Sequence, residues 1–156
     1  PRSTLFPYTT LFRSQAISPV MAAHELLQLQ SVVHGIPLAA PVMEAALRLV
    51  ASTMPGSPYA TETVKRYVRY GSSPRGAQAL VLGAKGRAFL HQRAHVTPSD
   101  IESIARPALR HRIILRLEAE ADGVTPEAIL DELIPAATAP LSREKAARTG
   151  KTRKDG

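Results

Sequence analysis

Four Ser/Thr-Pro dipeptides in this chain stand where a helix could start, Ser18-Pro19, Ser73-Pro74, Thr97-Pro98 and Thr125-Pro126, and a fifth, Ser57-Pro58, falls in a loop. A hydroxyl residue suits a helix N-cap, and proline suits the first helical position, where its missing N–H costs nothing. Each of the four pairs therefore reads as a helix start, and a chain restarted so often reads as several helices with short connections. Ala22, Leu26, Leu29 and Val33 follow the first pair at helical spacing, with Gly35 as the stop. Pro41 opens a second helix whose apolar face is Val42, Ala45, Ala46, Leu49 and Val50, ending before Pro55. Residues 55–63 are a loop by composition, and Val64, Tyr67 and Val68 make one amphipathic turn.

The helix opened by Ser73-Pro74 extends to about Gln92 through Ala77, Leu80, Val81, Ala84, Ala88 and Phe89. Gly83 and Gly86 inside it suggest close approach of another backbone. Thr97-Pro98 starts the next helix, with Asp100 placed to complete a capping box and Pro107 as a break or kink. A longer helix to about Asp122 follows, striped by Leu109, Ile113, Leu117 and Ala121 and ended by Gly123. Thr125-Pro126 opens the last, where Ile129, Leu130, Leu133 and Ile134 pack before Pro135. No stretch reads as a convincing strand, and the expected fold is all-α, a small bundle of about six helices. Residues 136–156 have almost no large apolar side chains and are expected to be a disordered basic tail. Residues 1–14 show no clean periodicity and look like a translated sequencing adapter, so they are set aside as non-native. The natural chain is then expected to extend upstream of Gln15.

The net charge of +7 looks like a nucleic-acid signal until it is located. Residues 142–156 contribute +4 and residues 1–14 contribute +2, which leaves +1 for residues 15–141. A nearly neutral body argues against DNA binding. The absence of Trp and the few other aromatics argue against single-strand stacking. The chain contains no cysteine, no nucleophile elbow, no phosphate loop and no apolar run near the roughly 20 residues of a membrane span. His91 and His95 lie four apart without an accompanying carboxylate motif, which gives thin support for a metal. His111-Arg112 could face a charged partner or simply complete the surface. Glu118, Glu120 and Asp122 look like a solvated acidic face.

One local puzzle remains, in Tyr70-Gly71-Ser72-Ser73-Pro74-Arg75-Gly76. Gly71 permits a turn with positive φ, Ser73 is a suitable cap, and Arg75 falls in the first helical turn. The helix dipole already makes that end positive. Two positive features aimed at one spot suggest an anion, most economically a phosphate. The alternative is a surface arginine that tolerates a slightly unfavourable site.

With these residues laid out, residues 15–135 resemble the C-terminal part of a MoxR-type AAA+ ATPase. The match is to that family's helical lid, itself similar to the lid of magnesium chelatase ATPase subunits. Tyr-Gly-Ser-Ser-Pro-Arg-Gly at 70–76 resembles the family's Gly-Ala-Ser-Pro-Arg-Ala block. Val-Thr-Pro-Ser-Asp-Ile at 96–101 and Leu-Arg-His-Arg-Ile at 109–113 resemble two further blocks in the same order and spacing. The family often has Thr-Arg where this chain has Thr53-Met54, so the role of that arginine is not carried over. The phosphate loop, the Walker B acid and the first sensor would lie upstream.

The resemblance implies helices at the core–lid junction over 15–54 and the lid over 55–135. It implies that Arg75 is the second sensor, contacting the γ-phosphate of ATP, with Ser73 and Pro74 beside it. ATP with Mg2+ would be bound mainly by a core domain, and the lid alone would be inactive. A cytoplasmic ring of identical subunits is also implied, with chaperone-like remodelling or metal-cofactor insertion as its task and a von Willebrand A-domain protein as partner. A helical DNA-binding module is the rival reading, with 98–106 as recognition helix. That helix carries Asp100 and Glu102 with only Arg106, a poor surface for phosphate. A purely structural helical interaction domain is the third.

Overall fold

The computed structural model describes residues 19–152, with side chains to residue 139. Residues 1–14, set aside above, lie outside that range. Two compact units meet between Ser31 and Val32. The helix α1 (Ala23–Gly35) spans that boundary and buries none of its side chains. It does not use the expected start at Ser18-Pro19. Glu25 accepts a hydrogen bond from Ala22 N at 2.7 Å and takes over the capping role.

The second unit is organised by α2 (Ala40–Ser52), α4 (Pro74–Leu90), α5 (Pro98–Leu109) and α7 (Pro126–Thr152), which pack on one another around a single core. Leu49, Leu80, Ile101, Leu109, Ile129, Leu130 and Leu133 are fully buried at its centre. Each contributes about 1.5–3 kcal/mol of hydrophobic stabilisation. The apolar face expected for α2 is the one it buries, Val42, Ala45, Ala46, Leu49 and Val50. Because α2 shares this core, residues 54 and 55 do not mark a break in packing. Gly83 allows close approach as expected, but to a side chain: a Cβ there would meet Ile104 Cγ2 at 2.6 Å. Nothing lies within 4 Å of the corresponding point at Gly86.

Three expectations about the segment around residues 109–122 are corrected. The long helix to Asp122 does not form. After Leu109 the chain makes a 3-10 turn (Arg110–Arg112), a strand β2 (Ile114–Leu115) and a short helix α6 (Leu117–Ala121). Strand β2 pairs antiparallel with β1 (Val68–Tyr70), which follows the short helix α3 (Glu62–Tyr67), so a small two-stranded sheet is present. The four-spaced stripe was not one face: Leu109 and Ile113 are buried, but Leu117 is 80% exposed.

Pro107 does not end its helix, since α5 runs through it to Leu109. Nor does α7 stop at Pro135; it continues to Thr152. A proline inside a helix costs about 3 kcal/mol. Burial of Leu133, Ile134 and Ala137 around Pro135 offsets that; Ala137 belongs to the core and Thr138 is buried beside it rather than in a tail. No single helix among the described residues is long and apolar enough to cross a membrane.

Candidate functional site

The block at 70–76 is held from below by the end of α2. Thr53, fully buried, donates from Oγ1 to Val50 O at 2.7 Å and accepts from Ser72 N at 2.9 Å. A Cβ on Gly71 would lie 2.3 Å from Thr53 O and 2.8 Å from Met54 Cα. Gly71 is therefore needed for backbone contact. Its φ is not positive, which corrects the expected reason for it. Ser72 is buried as well, and a Cβ on Gly76 would meet its Oγ at 1.9 Å. Two glycines thus let three turns of chain interlock where any side chain would collide.

Above this knot, α4 begins. Pro74 occupies the first turn as expected, but the Ser73 hydroxyl accepts no capping hydrogen bond. The Gly76 amide is met instead by Ser73 O at 2.7 Å. Ser73, Pro74 and Arg75 are all exposed. Among the described residues, Arg75 has no hydrogen bond, ion pair or aromatic contact, although it stands at the positive end of a 17-residue helix. The first turn of α4 contains no acidic residue.

The far end of α4 is the opposite case. Asp100 is fully buried, and Arg93 grips both its oxygens in a bidentate pair. Thr97 adds its amide at 2.9 Å and its hydroxyl at 2.7 Å. Asp100 thus answers the cap as the sequence predicts. Arg87 Nε stands 3.3 Å from Asp100 Oδ1, and another Arg87 nitrogen lies 2.6 Å from His91 Nε2. Burial pushes the Asp100 carboxyl up, but the hydrogen bonds from Arg93 and Thr97 outweigh it and hold the group well below the usual carboxylate range. The same pairing raises Arg93. Sequence reasoning missed this hub. An arginine seven residues before a capping aspartate, across a turn, was its only signal.

His91 is engaged with Arg87. Among the described residues no cluster of three His, Cys, Asp or Glu side chains could hold a metal. His111 lies exposed in the 3-10 turn, and Arg112 Nε donates to Ala108 O at 3.0 Å. Of the supposed recognition helix, Asp100 is buried and Arg106 is paired with Asp131. Of the acidic face, Asp122 accepts from Arg66 at 3.1 Å and from the Tyr67 hydroxyl at 2.8 Å.

Residues 60–133 match the AAA lid domain family. The described fold agrees: a crystal structure of a candidate ATPase from Cytophaga hutchinsonii superposes with a TM-score of 0.68 at 32% identity, over 71% of this chain and 34% of that one. This is a AAA lid domain. Three relatives sharpen the assignment. The uncharacterized protein YeaC of Bacillus subtilis is 32% identical over 83% of this chain and 38% of its own length. Chaperone MoxR1 of Mycobacterium tuberculosis is 26% identical over 78% of this chain and 32% of its own length. Protein MoxR of Paracoccus denitrificans is 40% identical over 49% of this chain and 22% of its own length. The chain belongs to the MoxR-type AAA+ proteins and corresponds to their C-terminal lid. It spans at most 38% of the length of these relatives.

Proposed function

We propose that this lid serves an ATP-hydrolysing MoxR-type remodeller, and that Arg75 is the residue it presents to the nucleotide. The observation that carries this is the state of Arg75, exposed at the start of α4 with no partner among the described residues. Ion pairs elsewhere on the lid engage Arg48, Arg66, Arg87, Arg93 and Arg106. A planar, permanently charged guanidinium on a positive helix end suits the γ-phosphate of ATP, whose oxygens accept bidentate hydrogen bonds. Ser73 and Pro74 precede it and bring no acidic group to that end. Mg2+ and the rest of the nucleotide would be held by a core domain. When the γ-phosphate leaves, one lid contact is released and the lid can rotate.

In this reading the lid does no chemistry by itself, and the whole protein works as a cytoplasmic ring of identical subunits. Remodelling or metal-cofactor insertion, with a von Willebrand A-domain partner, is its proposed task. The description of MoxR1 as a chaperone supports the first of these. Nucleic acid is not a proposed partner, because residues 15–141 carry a net charge of only +1.

The test is ATP turnover by the protein that carries this lid together with a nucleotide-binding core. Arg75→Ala should lower kcat by about tenfold or more, as expected for loss of a hydrogen bond to a charged phosphate. Unchanged turnover would remove Arg75 from the site.

A further inference from the structure

We propose that Thr53 is the positioning residue for Arg75, the buried hinge pin that makes the start of α4 move as one body with α2. This rests on the nucleotide-sensing role of Arg75 set out above. Among the described residues Arg75 makes no hydrogen bond or ion pair that would fix its place, so the backbone beneath it sets its position.

That backbone is fixed at one point. The Thr53 hydroxyl is saturated, giving its proton to Val50 O at 2.7 Å and taking that of Ser72 N at 2.9 Å. One side chain therefore closes a path from the last turn of α2 to the residue before the Ser73 cap. The path is sealed on both sides. Gly71 rests on the Thr53–Met54 backbone and Gly76 on the Ser72 side chain, each too close for a Cβ. All three of Thr53, Ser72 and Gly76 are buried, so no water replaces the Thr53 bond if it is lost. A rotation of α2 must then carry the first turn of α4 with it. Loss of the hydroxyl would free Ser72 N and let the arginine's origin drift, and a drift of about 1 Å is enough to spoil a positioned contact.

The experiment measures ATP and ADP affinity separately, in the protein that carries this lid with its core. Thr53→Val deletes the hydroxyl at constant volume, Thr53→Ala deletes it with the methyl, and Thr53→Ser retains it. Val and Ala should lower the ratio of ATP to ADP affinity by about three- to tenfold, the worth of one hydrogen bond, with ADP affinity unchanged. Ser should restore the ratio. In an Arg75→Ala background neither deletion should lower it further.

Equal weakening of ATP and ADP, or an undiminished loss in that background, would make Thr53 a general structural residue and overturn the proposal. So would unfolding of both deletion variants. If Arg75→Ala alone lowers the ratio while the Thr53 variants leave it intact, the positioning role fails and the sensor role stands. If Arg75→Ala leaves the ratio unchanged, the sensor role itself has failed. Amide exchange on this chain gives an independent reading. Thr53→Val should accelerate exchange at Ser72 and leave Leu80 protected, and an unaltered Ser72 rate would overturn the coupling.

Discussion

The two ends of α4 treat arginine in opposite ways. At the C-terminal end Arg87 and Arg93 converge on the buried Asp100, and the Thr97 amide and hydroxyl complete its shell. At the N-terminal end Arg75 stands exposed on a helix whose first turn lacks any acid. The first end has its counter-ion built in, and its arginines serve the fold. The second has the cation and the helix dipole but no anion among the described residues. A charge that the protein leaves unmatched, on rigidly supported backbone, is a charge available to a ligand.

The largest effect should come from breaking the matched end. Asp100→Ala leaves Arg93 and Arg87 without their partner and should cost about 2–3 kcal/mol, below the value for a fully buried pair because both arginines keep some solvent contact. A fall in melting temperature of about 10 °C would register it. The same contact sets a pH dependence. The folded carboxyl is depressed, so its stabilisation is fully present above the unfolded value of about 3.9 and is lost as pH falls through the folded value. The stability gap between the native chain and Asp100→Asn should therefore narrow as pH drops below about 4.

Gly71→Ala comes next. Its Cβ would press on backbone atoms of Thr53 and Met54, which cannot yield as a flexible side chain would. A loss of about 2 kcal/mol is expected in chemical denaturation. Smallest should be Ser73→Ala. A cap serine normally contributes about 1 kcal/mol, but here its hydroxyl makes no capping bond, so the change should stay within about 0.5 kcal/mol. Thr125→Ala sharpens that contrast, because Thr125 Oγ1 does accept from Ala128 N at 3.2 Å. Thermal melts of the two variants should differ in that order.

Much of the frame was legible in the residues, because its causes are local. The α2 face, the span of α4 and the Thr97–Asp100 cap follow from spacing and capping chemistry within a few residues. What was hidden depends on distant partners. Leu109, Ile113 and Leu117 fit a helix stripe, while the apolar run Ile113-Ile114-Leu115 fits a strand as well. Only β1, more than forty residues earlier, decides for the strand. The cost of Pro135 was readable, whereas the core that outweighs it was not. At the candidate site Arg75 and its dipole could be read directly. Gly71 carried a misleading signal, since glycine marks positive φ and close backbone contact alike. Thr53 carried none, because a threonine at a helix end is ordinary until its hydroxyl is seen to span nineteen residues of chain.

The most direct test measures melting temperature and ATP turnover on one pair of variants, Arg75→Ala and Arg93→Ala, in the protein that carries this lid and its core. Arg75→Ala should lower turnover by about tenfold or more while the melting temperature stays within about 2 °C. Arg93→Ala should reverse the pattern in its primary effect, lowering the melting temperature by several degrees with far less change in turnover of the folded protein. A destabilised Arg75→Ala with normal turnover would contradict the account, since the two ends of α4 would then serve the fold alike.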